Sequence, residues 1–211
     1  INKRKFNILS NIVKNSKASF LPDEISIRST LEFIIKYSIS EQCSSSFIFL
    51  SNMWDFYQYK KVSISLPQII KSMSDDFVDF ILNDTQPFNH SKNIALSLLS
   101  RTISSEKFLT EKIIEMAEKL WDLFFDNPSY SMLHEALLNF IKSAISADQK
   151  IIEKVEIREK IVKAYSERKT VTATYWGHLH LMTALIIKVT EQKVHSKSQS
   201  STQLKNLPEF D

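Results

Sequence analysis

Residues 104–125 read SSEKFLTEKIIEMAEKLWDLFF, and this stretch indicates the fold class most clearly. Its apolar side chains recur every three or four residues, which places them on one face of a helix. Ser105 is a good N-cap residue, and we expect the helix to begin there. Asp126, Asn127 and Pro128 follow and predict its end. The apolar face consists of Leu109, Ile113, Met116, Leu120 and Phe124.

The same period recurs along most of the chain and predicts an all-α protein. Ser65 and Asn89 are plausible N-caps, and Pro67 fits a first helical turn. Helix starts are spaced by about 20 residues, so a helix pair takes about 40, which is the period of HEAT and armadillo repeats. We therefore expect an irregular α-solenoid of antiparallel helix pairs. The other predicted helices cover 21–39, 44–59, 65–82, 89–103, 130–146, 148–167 and about 171–189.

Glycine usage excludes several classes of protein. The 211 residues contain one glycine and five prolines. Two-residue β-hairpins need residues at positive φ, commonly glycine, and phosphate-binding loops need several glycines within one short segment. The composition therefore argues against a hairpin-rich fold and against a Rossmann or P-loop nucleotide site, and we predict no cofactor.

Charge and cysteine content favour an intracellular protein and do not predict nucleic-acid binding. The chain has 27 basic and 24 acidic side chains, a balance too even to predict nucleic-acid binding. Cys43 is the only cysteine, so no intrachain disulfide can form. No apolar run approaches the roughly 18 residues that span a bilayer, and we predict no membrane insertion. We expect a location in the cytoplasm or the nucleus.

Two regions differ in character. Residues 1–193 carry the helical periodicity and are predicted to form one α-helical repeat domain. Residues 194–211 are rich in Ser, Gln and Lys and predict a flexible polar tail. Because the chain begins at Ile1 rather than at methionine, we expect a fragment of a longer protein.

The last predicted helix contains the single glycine. Residues 172–189 read TATYWGHLHLMTALIIKV, in which Gly177 lies near the helix start and shares a strip with Leu181 and Ala184. Glycine costs about 0.8–1 kcal/mol relative to alanine inside a helix. We therefore expect Gly177 to let a neighbouring backbone or a partner come close. The core-facing stripe consists of Tyr175, Leu179, Met182, Ile186 and Val189.

His178 and His180 raise the question of a metal site. On a strand, residues i and i+2 share a face, but on a helix they lie about 200° apart and cannot readily hold one ion. His134 could approach either of them only if the helix packing allowed it, and no carboxylate has a matching spacing. We predict no metal site.

Three segments together resemble a known family. They read NPSYSMLHEALLNFIKSAI (127–145), REKIVKAYSERKT (158–170) and YWGHLHLMTALI (175–186). Their order is similar to that of the SAPS domain, found in regulatory subunits of type 6, 2A-like serine/threonine protein phosphatases. Trp176 stands where that family commonly has methionine. The positions that match the family's motifs are Leu133, His134 and Asn139 in the first segment, and Gly177, His178 and Leu179 in the last.

The resemblance implies a non-catalytic scaffold that binds a phosphatase catalytic subunit and directs its substrate choice. Trp176, Gly177 and His178 would then contact the partner or brace a helix that does. A generic α-solenoid adaptor with another protein partner is the alternative. A helical-repeat DNA glycosylase is a third reading, which needs a basic groove with a carboxylate and aromatic side chains at its centre.

Overall fold

The computed structural model describes residues 5–8, 28–60, 66–83, 85, 87–167 and 175–204, without the side chains of 57–60 and 192–204. This part of the chain is mostly helical and contains no strand, as predicted for an all-α protein. A helical turn at residues 5–8 precedes ten helices. They are α1 (Arg28–Ser40), α2 (Ser44–Lys60), α3 (Leu66–Ser72), α4 (Ser74–Leu82), α5 (His90–Glu106), α6 (Glu111–Asp126), α7 (Ser131–Ala147), α8 (Ile151–Lys154), α9 (Ile157–Ser166) and α10 (Trp176–Leu204).

The predicted apolar faces form the core. In α6, every predicted face residue inside the helix is buried, and Leu109, which precedes the helix, packs partly against it. All five residues of the predicted stripe in the last segment are buried, four of them in α10 and Tyr175 immediately before it. Burying a large aliphatic side chain contributes about 1.5–3 kcal/mol, so these faces stabilise most of the fold.

The start of α6 differs from the prediction. Ser105 lies in the last turn of α5, where its hydroxyl donates to the carbonyl oxygen of Thr102 at 3.1 Å. Lys107 then adopts a left-handed conformation (φ 49°, ψ 54°) that ends α5. Thr110 caps α6 instead, because its Oγ1 accepts from the backbone N–H of Ile113 at 3.2 Å. Ser105 and Thr110 both have side chains that favour an N-cap. Because the left-handed turn at Lys107 ends α5 after Ser105, Thr110 is the residue that caps α6.

Two predicted helices are broken, and one begins later. The helix predicted over 65–82 divides at Met73, which leaves helical geometry (φ −110°, ψ 17°). The helix predicted over 148–167 divides at Val155 and Glu156, where Glu156 is left-handed (φ 50°, ψ 39°). The last helix begins at Trp176 rather than near 171.

Several capping predictions can be compared directly. Asn89 caps α5 by accepting from the N–H of Lys92 at 3.1 Å, as predicted. Pro67 lies in the first turn of α3, and α6 ends at Asp126 with Asn127 as its C-cap, also as predicted. The predicted Ser65 cap and the first part of the helix predicted over 21–39 lie outside the described residues.

The helices contact their neighbours in a regular order. The two-part helix α3–α4 packs on both α1 and α5, and α4 also packs on α6. In the same way α5 contacts α2 and α7, while α7 contacts α6, α8 and α10. The α10 backbone runs to Leu204, so it includes part of the segment predicted as a tail. The tail itself stays a prediction, since residues 205–211 are not described. None of the described helices is long and apolar enough to cross a membrane.

Candidate functional site

The first and last segments of the resemblance meet where α7 and α10 pack together. His134 lies in the first turn of α7, and His178 lies in the first turn of α10. Their ring centroids are 5.7 Å apart, and the ring planes are tilted by 56°. With Phe124 and Tyr175 they form one group of tilted and edge-on rings, which we name the histidine cluster. The sequence left open whether helix packing brings His134 close to His178, and in the structure the two rings do lie close together.

His134 is completely buried. Its Nε2 lies 3.2 Å from the carbonyl oxygen of Phe124 and 3.0 Å from that of Asn127. Carbonyl oxygens only accept, so Nε2 carries the hydrogen and donates to both. The neutral ring then has a free lone pair on Nδ1, which is buried and has no hydrogen-bond partner. Burial lowers the pKa of His134, and the bonds to the Asn127 and Phe124 carbonyls oppose that effect in part.

Aromatic rings enclose the His134 imidazole. The Phe124 ring centroid lies 4.5 Å from it, and the Tyr175 ring meets it edge-on at 5.7 Å. Burial, and to a lesser extent the charge of Glu167, raises the pKa of Tyr175. Both His134 and Tyr175 are thus held in their neutral forms at neutral pH, as expected for polar groups in apolar surroundings.

His178 and His180 lie in different environments. His178 is half-buried, and its Nδ1 is buried without a hydrogen-bond partner, whereas His180 is exposed. This separation follows the helical geometry predicted from their i, i+2 spacing. His178 can therefore act together with His134, and His180 cannot.

The remaining motif residues divide between core and surface. Leu133 and Leu179 are buried in the core. Trp176 is half-buried and packs on the rings of Tyr165 and Tyr175. Asn139 is exposed more than one turn beyond His134, so the structure does not bring it into the cluster.

Gly177 has no close neighbour. A Cβ atom built on it would meet no described atom within 4 Å, and the residue is exposed in the first turn of α10. The expected close approach of a neighbouring backbone is therefore wrong for the described residues. Approach by a partner protein stays a prediction.

An exposed strip continues from Gly177 along α10, opposite the buried stripe. Leu181 is 56% exposed and Ile187 is 52% exposed, although both are large apolar side chains. We name this strip the outer face of α10. It consists of Gly177, His180, Leu181, Ala184, Ile187 and Lys188.

A cleft of about 580 Å³ lies between α6 and α9, with Tyr175 at its edge. It was not predicted, because it forms between helices distant in sequence. Lys160 reaches Asp122 across the cleft at 3.1 Å. The lining contains three carboxylates and two ammonium groups, which gives a net charge of −1, from Asp122, Asp126, Glu167, Lys160 and Lys163. This cleft therefore lacks the basic lining that the glycosylase reading requires.

Comparison of the chain with protein-family models, with curated proteins and with solved structures finds no match.

Proposed function

We propose that this protein is a non-catalytic scaffold or regulatory subunit that binds a 2A-like serine/threonine phosphatase catalytic subunit and directs its substrate choice. The motifs at residues 133–134 and 176–179 support the proposal. They carry the resemblance, and they pack against each other at the junction of α7 and α10 although separate in sequence.

The proposed architecture is an α-solenoid related to HEAT and armadillo repeats. Its support is the order of helix contacts, in which α3–α4 touches α1, α5 and α6, and α7 touches α5, α6, α8 and α10. Such contacts are typical of stacked helix pairs that build an extended surface. One row would contain α1, α3–α4 and α6, and the other α2, α5, α7 and α10.

The proposed contact surface is the outer face of α10. The single observation that carries the proposed function is the exposure of Leu181 and Ile187 on this face, immediately beyond the glycine–histidine motif. Apolar side chains grouped on one exposed helix face, with polar groups around them, are typical of protein interfaces. His180 and Lys188 supply that polar border. Gly177, with open space above it, would admit the partner's backbone.

Affinity purification of the full-length protein from its source cells, followed by mass spectrometry, tests the proposal. We expect a 2A-like phosphatase catalytic subunit among the enriched proteins, and a Leu181→Glu variant should lose it. Recovery of other proteins without any phosphatase catalytic subunit would support the generic adaptor instead. For this intracellular function we propose a location in the cytoplasm or the nucleus.

A further inference from the structure

The histidine cluster contains two ring nitrogens that the proposed scaffold function does not use. Nδ1 of His134 and Nδ1 of His178 are both buried and both lack a hydrogen-bond partner. Buried polar atoms are nearly always bonded, so two unpartnered nitrogens on rings that contact each other suggest a binding site between them.

The hydrogen bonds of His134 resemble those of a metal ligand. In metal sites a histidine commonly donates one ring N–H to a carbonyl or carboxylate, which fixes the tautomer and leaves the other nitrogen free to bind the ion. His134 does this through Nε2 with the carbonyl oxygens of Phe124 and Asn127. Its Nδ1 is thereby presented as an unprotonated donor.

The separation of the rings also fits one shared ion. The centroids of the His134 and His178 rings are 5.7 Å apart. Two imidazoles that bind one ion at metal–nitrogen distances of about 2.0–2.1 Å have centroids about 5–6 Å apart. His178 is half-buried in the first turn of α10, so the site lies near the protein surface.

We propose that Nδ1 of His134 and Nδ1 of His178 together bind one divalent transition-metal ion of the class that prefers imidazole, such as Zn²⁺. Imidazole nitrogen suits Zn²⁺, Cu²⁺ and Ni²⁺, and oxygen-seeking ions such as Mg²⁺ are excluded by the absence of a carboxylate in the cluster. Water completes the coordination.

The site has two protein ligands. Within the described residues, no group of three or more His, Cys, Asp or Glu side chains could hold a metal. Structural zinc sites have four protein ligands and catalytic sites usually have three, so two ligands bind more weakly. An ion here would link the first turns of α7 and α10 and stiffen the base of the outer face of α10.

Titration of the tag-free full-length protein with ZnCl₂ after treatment with EDTA tests this site. Calorimetry should give one ion per chain, and the unfolding temperature should rise with zinc concentration, because a ligand that binds the native state stabilises it. The His178→Ala variant should bind zinc at least tenfold more weakly. His180→Ala is the matched control, since His180 is two residues away on the same helix but exposed, and it should bind like the unaltered protein.

Histidine side-chain NMR provides a readout independent of stability. Zinc should shift the ring signals of His134 and His178 and leave those of His180 unchanged. Failure of the unaltered protein to bind zinc, or equal binding by His178→Ala, would overturn the proposal. If His180→Ala weakens zinc binding as much as His178→Ala does, the proposal is also overturned, because zinc would then bind at a surface site.

Discussion

The imidazole of His134, buried in the first turn of α7, contacts the imidazole of His178 in the first turn of α10, with 5.7 Å between ring centroids. This contact joins the two segments on which the family resemblance rests most strongly. It lies at the start of α10, whose outer face we propose as the binding surface.

Replacing His134 by alanine should lower the free energy of unfolding by about 2–4 kcal/mol, since it opens a cavity and removes a donor from two carbonyl oxygens. His180→Ala, on an exposed side chain, should change it by no more than about 0.5 kcal/mol. Urea denaturation in the presence of EDTA measures both variants. Equal losses would show that the His134 contacts do not stabilise the fold.

Acidification should destabilise the protein through His134. Burial lowers the pKa of this ring below its usual value, so at mildly acidic pH the unfolded chain binds a proton that the folded chain resists. The contribution of neutral His134 to the free energy of unfolding is complete above the unfolded-state pKa of about 6.5. It is lost as the pH falls below that value, by at most about 1.4 kcal/mol per pH unit for one proton. Among the described residues, His178 and Tyr175 are the titratable groups whose rings pack against that of His134, and neither supplies a negative charge to offset this loss.

Urea denaturation between pH 7.5 and 5, with EDTA present, measures this dependence. The His134→Ala variant should lose stability less steeply than the unaltered protein over that range. Identical slopes for the two proteins would contradict the assignment of the titrating group.

The Gly177→Ala substitution should stabilise the protein by up to about 0.8 kcal/mol, because alanine is the better helix former and the added Cβ meets no described atom. Thermal unfolding monitored by circular dichroism measures the change. A lowered unfolding temperature would mean that the residue has a close neighbour after all. If Gly177 serves partner binding, the same variant should bind the partner more weakly despite its higher stability.

Glu156→Gly should raise the free energy of unfolding by about 0.5–1 kcal/mol, since Glu156 is left-handed at φ 50° and glycine adopts that conformation without a steric cost. Glu153→Gly is the matched control. Glu153 lies in α8 with helical neighbours, and glycine there should lower stability by a similar amount. Urea denaturation of both variants measures the difference, and a change of the same sign in both would refute the argument.

The sequence predicted which faces of the helices are buried better than where the helices end. The stripe from Tyr175 to Val189 is buried as expected, because helical period and hydrophobicity together determine a core-facing side. The breaks at Met73 and Glu156 were missed, since neither position has the glycine or proline that usually marks a break. At residues 105–110 two capping residues compete, and local sequence does not rank them.

The candidate site depended on information that local sequence does not contain. The isolation of His180 from His178 follows from helical geometry alone and was predicted. The contact of His134 with His178 depends on how α7 packs on α10. The cleft between α6 and α9 likewise depends on long-range packing, and Lys160 pairs there with Asp122 of another helix.

The central claim is that the outer face of α10 binds a 2A-like phosphatase catalytic subunit. Its most direct test is the dissociation constant of the full-length protein for the purified type 6 catalytic subunit, compared with those of Leu181→Glu and Val162→Glu. Val162 is the control because it is an apolar side chain 68% exposed on α9. We predict that the unaltered protein and Val162→Glu bind alike and that Leu181→Glu binds at least about tenfold more weakly, a loss of about 1.4 kcal/mol or more. No binding by the unaltered protein, or equal binding by both variants, would contradict the account.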